Sequence, residues 1–265
     1  MVLDEVIITE AIIEKYFKKV KCNLKVDVGI VGAGPSGLVA AYFLAKNGIK
    51  TVIFEKRLSP GGGIWGGGMM FNEIVVQDKA KEILDLFGVR TEKFQEGYYT
   101  ADAIEVASTI ISHVIKSGVT IFNLFEVEDV VVEGERISGV VVNWTPVNIG
   151  RFHIDPLCFR TRYLVDATGH EAKLIKILKE KLRVKLFTET GDILGERSLW
   201  ADKGESVILE NTKEVYPQVF VAGMAANVVC GGFRMGPIFG GMLLSGRKVA
   251  NLIYERISKS RGEKE

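Results

Sequence analysis

The sequence predicts an α/β fold of the doubly wound type, a parallel sheet covered by helices, with a β-rich insertion at about residues 119–160. Three observations carry this reading. A strand, a glycine turn, a helix and a second strand follow one another from Val26 to Glu55. A buried strand ends in a second glycine turn at Leu164-Val165-Asp166-Ala167-Thr168-Gly169-His170, and a further strand, Val215–Gly223, lies near the C-terminus. Strands alternating with helical patterns are the mark of parallel βαβ construction.

The first unit is the most informative. Val26-Asp27-Val28-Gly29-Ile30-Val31 is apolar and β-branched, which suits a buried strand. Gly32-Ala33-Gly34-Pro35-Ser36-Gly37 follows at once, then an apolar helix from Leu38 to Asn47, with Gly48 placed where a helix C-terminus favours positive φ. Thr51–Glu55 is the next strand, and Glu55 ends it about twenty residues after the glycines, the context of a dinucleotide-binding unit. Gly32 allows the tight turn, Gly34 lets a pyrophosphate approach the backbone, and Gly37 lets helix and strand pack closely. The helix N-terminus offers free N–H groups to phosphates, and Glu55 can accept hydrogen bonds from ribose hydroxyls.

Length and composition bound the rest. A chain of 265 residues can bury roughly 70–75% of its unfolded surface, enough for one large domain. A formal net charge of +1 gives no case for nucleic acid or an anionic membrane as partner. Cys22, Cys158 and Cys230 form no disulfide framework, which fits a cytoplasmic location. The N-terminus carries Asp4 and Glu5 where a signal peptide needs basic residues, and no apolar run is long enough to span a membrane.

In chain order, Thr9 is placed to cap a helix over Glu10–Val20, with Ile12, Ile13, Tyr16, Phe17 and Val20 on one face, packed outside the sheet or on another subunit. After Lys56-Arg57 comes a loop with Gly61, Gly62, Gly63, Gly66, Gly67 and Gly68 around Ile64 and Trp65. Glycines at that density cost conformational entropy, so they serve a ligand approach or a mobile lid, and ligand contact is the favoured reading. Asp78 starts a helix that ends at Gly88, and Asp102 starts another that ends near Gly118 and buries Ile104, Ala107, Ile110, Ile111 and Val114. His113 on that helix reads as structural. Strands follow at 119–124, 127–132 and 137–143, the last two joined by Glu133-Gly134-Glu135. A charged helix is expected over Glu171–Leu182, a glycine-rich turn over Gly231–Gly241, and a final helix from Met242 to Ile257 that buries Leu243, Leu244, Val249 and Ile253. The tail, Ser258–Glu265, is polar and expected to fray. No repeat or separable linker appears, so residues 1–265 read as one domain with an N-terminal helix and a β insertion.

The motif order is that of two-dinucleotide-binding flavoproteins of the Rossmann type, including Val-Phe-Val-Ala-Gly at 219–223. Those proteins continue with an Asp that holds the flavin ribitol, and this chain has Met224. Losing a charged hydrogen bond costs about 1.5–3 kcal/mol, which argues against FAD. Phe152-His153-Ile154-Asp155-Pro156 forms a loop between strands, and His170 closes the Ala-Thr-Gly turn. A histidine and an aspartate with substrate atoms would suit Fe(II) or a similar divalent ion. A turn-capping Asp155 and a hydrogen-bonded His170 fit the same residues.

Taken together, these segments resemble the thiazole synthases of thiamine biosynthesis, in their archaeal branch. The resemblance covers nearly the whole chain, through Val31–Gly37, Gly61–Met69, Asn143-Trp144-Thr145, His153–Pro156, Asp166–His170 and Gly231–Pro237. It implies that NAD is a substrate: nicotinamide leaves, and the ADP-ribose is joined to glycine and sulfur to give an adenylated thiazole carboxylate. It implies that Gly32, Gly34, Ser36, Gly37, Glu55, Lys56, Gly63, Val127, His153 and Met224 contact the dinucleotide, that Arg234 pairs with the glycine carboxylate, and that Asp155 and His170 hold Fe(II) across two adjacent subunits. His153, Asp155 and His170 form its catalytic set, and a homo-oligomer, an octamer, is implied with them. In the fungal and plant branch a cysteine at the position of His153 gives up its own sulfur. Histidine has none to give, so free sulfide and multiple turnover are expected. Two other activities stay open at this point, ribose 1,5-bisphosphate isomerisation and FAD-dependent oxidoreduction.

Overall fold

The computed structural model describes residues 2–134 and 136–262. Helix α1 (Glu5–Asn23) is capped by Asp4, whose carboxylate accepts from the amides of Val6 and Ile7. The expected start at Thr9 is therefore too late. The Thr9 hydroxyl donates to the carbonyl of Glu5, one turn back, which a helix interior permits. The face expected to pack is largely exposed on this chain, Ile12 at 64% and Phe17 at 63%. Only Tyr16 and Val20 reach the core, and the Tyr16 ring lies 6.4 Å from Phe122.

Strand β1 (Lys25–Val31), helix α2 (Pro35–Lys46) and strand β2 (Thr51–Glu55) form the expected unit. Proline at the first helical position starts α2 three residues before Leu38, since its fixed φ suits that site. Next come β3 (Glu73–Val76), α3 (Asp78–Phe87), β4 (Glu92–Gln95), β5 (Tyr98–Asp102) and α4 (Ala103–Lys116). The small antiparallel sheet β3-β5-β4 was not expected. Helix α4 is capped by Asp102 and buries Ala103, Val106, Ala107, Ile110 and Val114. Ala107, Ile110 and Val114 are buried as expected and Ile111 is half-buried, but Ile104 stands 53% exposed, and Ala103 and Val106 complete the buried face.

The chain continues through β6 (Thr120–Asn123), β7 (Phe125–Glu133), β8 (Arg136–Trp144), α5 (Thr145–Gly150) and β9 (Leu157–Asp166). Glu135 of the expected turn lies outside the described residues. After β9 come α6 (Lys173–Ile177), β10 (Arg197–Leu199), α7 (Ala201–Asn211), β11 (Glu214–Tyr216), β12 (Val219–Val221), α8 (Met224–Cys230), β13 (Phe233–Arg234) and α9 (Gly240–Gly262). The expected helix 171–182 is regular only from Lys173 to Ile177, followed by a wider π turn to Leu182. The expected strand 215–223 is a hairpin: Pro217 and Gln218 (φ 66°) turn the chain back, so β11 runs antiparallel to β12. The final helix persists to Gly262 where fraying was expected, and 263–265 lie outside the described residues.

Five strands in the order β12-β9-β1-β2-β6 run parallel. The β7–β8 hairpin extends this sheet through β8, which pairs antiparallel with the first half of β9, while β12 takes the second half. One core cluster packs α2, α3, α4 and α9 on one face, around Leu38, Leu44, Ile83, Ile110 and Ile253. The other packs the hairpin, α6 and α8 on the opposite face, around Phe54, Phe122, Phe159 and Leu174. Such a sheet places ligands outside the carboxyl ends of its strands, here Val31, Glu55, Asp166 and Val221.

Candidate active site

A cavity of about 760 Å³ opens at those carboxyl ends. Its first wall is the turn into α2. Gly34 is extended (φ −77°, ψ −176°) and no side chain caps the helix behind it, so the leading N–H groups of α2 remain available to an anion. Gly34 and Gly63 both line the cavity, and a β-carbon on either would meet nothing within 4 Å. Nothing among the described residues crowds these two positions. Gly32 and Ser36 line the cavity as well, whereas Gly37 lies behind it and packs against Gly32.

Glu55 is 6% exposed at the end of β2. Its Oε2 accepts from the amide of Ala33 at 2.7 Å and its Oε1 from that of Arg57 at 2.8 Å. The carboxylate thus ties the glycine turn to the chain leaving β2, and each oxygen keeps a lone pair for a hydroxyl. Lys56 beside it pairs with Glu171 at 2.6 Å, bridging two sides of the cavity wall. Val127 on β7 and Met224 at the start of α8, both nearly buried, supply apolar lining.

The third wall is the turn after β9. Asp166 is fully buried, and its Oδ1 accepts from the Thr168 amide at 3.0 Å and hydroxyl at 2.7 Å, its Oδ2 from the Ile175 amide at 3.0 Å. Burial pushes the carboxyl above its ordinary range, against the pull of these donors. The clamp holds Gly169–Glu171 as one tight turn and presents His170 at the cavity wall. His170 Nδ1 lies 2.9 Å from Glu196. Arg234, exposed on β13, completes the lining opposite, and its strand is braced by pairing with β10.

The structure does not bring every expected residue to this cavity. His153 and Asp155 are exposed in the loop between α5 and β9 and do not line it. That loop is tethered where Asn143 donates to the carbonyl of Ile154 at 3.0 Å, and it exposes Phe152 and Ile154. No three His, Cys, Asp or Glu side chains are grouped to hold a metal among the described residues. His113 lies elsewhere, its Nδ1 2.9 Å from the carbonyl of Thr109 and its ring against Phe87. Sequence reasoning missed Glu171, the partner of Lys56, although it follows His170 directly. It also missed Glu196, whose only sequence signal is the glycine before it.

A match to the Thi4 family spans residues 9–239 of the chain. The chain belongs to the Thi4 family. It is 56% identical over 255 residues to the thiamine thiazole synthase of Pyrococcus horikoshii, covering 96% of this chain and 99% of that protein. The crystal structure of Thermovibrio ammonificans THI4 superposes with a TM-score of 0.93 at 51% identity, over 97% of this chain and 100% of that one. A geranylgeranyl bacteriochlorophyll reductase-like protein of Thermoplasma acidophilum shares the fold alone, at 14% identity and a TM-score of 0.55 over 89% of this chain and 79% of that one. The Thi4 fold is thus a Rossmann-like α/β fold, as the motif order predicts. No helix among the described residues is long and apolar enough to cross a membrane.

Proposed function

We propose that this protein is a thiamine thiazole synthase that makes an adenylated thiazole carboxylate from NAD, glycine and free sulfide, with release of nicotinamide. The observation that carries the reading is a family-wide match whose glycine turn, Glu55, Met224 and Arg234 all converge on one cavity large enough for a dinucleotide. The uncapped start of α2 takes the pyrophosphate, and Glu55 takes ribose hydroxyls. Gly63 lets the dinucleotide lie against the backbone, and Met224 covers an apolar part of it. Arg234 supplies a planar fork matched to the glycine carboxylate.

The donor set fits Fe(II) only between two copies of the chain. His170 offers an imidazole nitrogen at the cavity, while Asp155 sits on an exposed loop away from it. The apolar side chains flanking Asp155, Phe152 (64%) and Ile154 (54%), suit a loop that docks on a neighbouring subunit. Fe(II) held by His170 of one chain and Asp155 of another would supply a Lewis acid and a template for the condensation. A homo-oligomer in the cytoplasm follows from this reading. His153 carries no sulfur, so sulfide enters as a substrate and turnover is multiple.

The test is an anaerobic assay with NAD, glycine, sulfide and Fe(II), read by mass spectrometry of the released small molecules. The expected result is nicotinamide with an adenylated thiazole. Asp155→Ala and His170→Ala should each abolish the product and lower bound iron while the fold is kept. Absence of nicotinamide release, or full iron occupancy in either variant, would overturn the proposal.

A further inference from the structure

We infer that Glu196 is the positioning residue for His170: it holds the imidazole with the proton on Nδ1 and so leaves the Nε2 lone pair free for a divalent cation. This rests on the metal reading above and adds to it a residue that no motif marks. Both oxygens of Glu196 face the same ring atom, Oε1 at 2.9 Å and Oε2 at 3.1 Å from Nδ1. The hydrogen bond is to Oε2; Oε1, nearer in distance, is shielded from solvent and has no hydrogen-bond partner of its own among the described residues. A ring nitrogen between two carboxylate oxygens carries a proton, and in the neutral imidazole the other nitrogen is then the lone-pair donor.

The pair is built from both sides. The His170 turn is clamped by Asp166 and Thr168, and the Lys173 amide donates to the Thr168 hydroxyl at 2.8 Å. The Glu196 segment is pinned on each flank, the Gly195 amide to the Val228 carbonyl at 3.0 Å and the Arg197 amide to Gly232 at 2.9 Å. Two side chains that meet from fixed backbones lose little further entropy on pairing. The exposures differ in a telling way: the imidazole is 52% exposed and the Glu196 side chain 22%. A surface ion pair formed for stability is worth little, and it gives no reason to shelter the carboxylate while leaving the ring open. Orientation of a ligand does, because a carboxylate behind a histidine fixes its tautomer and the direction of its ring.

The experiment uses the full-length protein labelled with ¹⁵N-histidine, in which only His113, His153 and His170 give signals. Long-range ¹H–¹⁵N spectra of the metal-free protein, recorded above the histidine range at about pH 8.5, read the tautomer. A His170→Gln variant assigns the signal. The wild type should show His170 protonated on Nδ1, and Glu196→Ala should lose that signature. Glu196→Gln, which keeps an acceptor, should retain it. Calorimetric titration with Co²⁺ should then show affinity falling about ten- to a hundredfold in Glu196→Ala and recovering in Glu196→Gln. An unchanged tautomer in Glu196→Ala, or equal Co²⁺ affinity in all three proteins, overturns the inference. If the wild type shows the Nδ1–H form but binds no Co²⁺, or if Asp155→Ala binds it unchanged, the metal reading fails instead and takes the proposed role of Glu196 with it.

Discussion

A β-carbon on Gly37 would lie 2.1 Å from the carbonyl oxygen of Gly32. The contact is backbone to backbone, so neither partner can swing aside as a side chain would. It sets how closely α2 packs on the end of β1, and through that the position of the helix N-terminus at the cavity. Gly37→Ala should therefore destabilise the protein by about 1–3 kcal/mol, a typical overpacking cost. Thermal unfolding checks this, and a melting temperature within a degree of wild type would refute it.

Gly34→Ala should behave in the opposite way. The position has ordinary φ and ψ, and its β-carbon would meet nothing within 4 Å. Loss of the unfolded chain's glycine freedom and the weaker capping of alanine nearly cancel, so stability should change by less than about 1 kcal/mol. The added methyl would occupy the path of a pyrophosphate. NAD affinity should fall on the order of ten- to a hundredfold, the loss of one or two charge-assisted hydrogen bonds. Unchanged binding by calorimetry would move the dinucleotide elsewhere.

Glu205 on α7 provides a pH prediction. Its Oε2 accepts from the Gln77 amide, while Glu205 Oε1 and Gln77 Oε1 are buried with no hydrogen-bond partner among the described residues. Burial raises its pKa, opposed by Gln77 and the Gly241 amide. The folded state then binds this proton more tightly than the unfolded one, so stability is whole below the ordinary carboxylate range and falls as pH rises through the folded value. Glu205→Gln presents a neutral amide in the same shape. Its melting temperature should change less than that of wild type between about pH 4 and pH 8, and should match or exceed it at the upper end. A steeper decline in the variant would show that the carboxylate is ionised and stabilising.

The parallel sheet was legible because β2, most of β1 and the end of β9 at Leu164-Val165 are apolar and run directly into a glycine turn or an acid, a local pattern. The sheet β3-β5-β4 was not, since Glu92–Gln95 is exposed throughout and shows no alternation. Helix α7 was hidden by Gly204, which is there because a β-carbon would lie 2.7 Å from the Phe233 carbonyl. At the site, Glu55 and His170 were readable from motifs. Glu196 and Glu205 were not, because their partners lie 26 and 128 residues away and only the folded chain pairs them.

Arg234 lines the cavity and forms no ion pair among the described residues. Arg234→Ala should raise the glycine concentration needed for half-maximal rate on the order of a hundredfold, the worth of a charge-assisted pair. NAD binding should change little. A glycine requirement equal to that of wild type would place the carboxylate elsewhere.

The source of sulfur allows the sharpest test. Cys22 and Cys158 are exposed, Cys230 is partly buried, and none of the three lines the cavity. Burial pushes the Cys230 thiol up, which lowers its share of the reactive thiolate. Cys158 follows Pro156 by two residues and is the one cysteine near the loop of His153 and Asp155. A protein-derived sulfur would have to come from it. With sulfide as the donor, Cys158→Ala and Cys230→Ala should form product at close to the wild-type rate when given NAD, glycine, Fe(II) and sulfide under anaerobic conditions. Product should exceed one equivalent per chain, and the intact mass of the protein should stay constant. A chain that loses the mass of hydrogen sulfide during the reaction, or that stops after one turnover with sulfide in excess, would show that the protein is itself the sulfur donor.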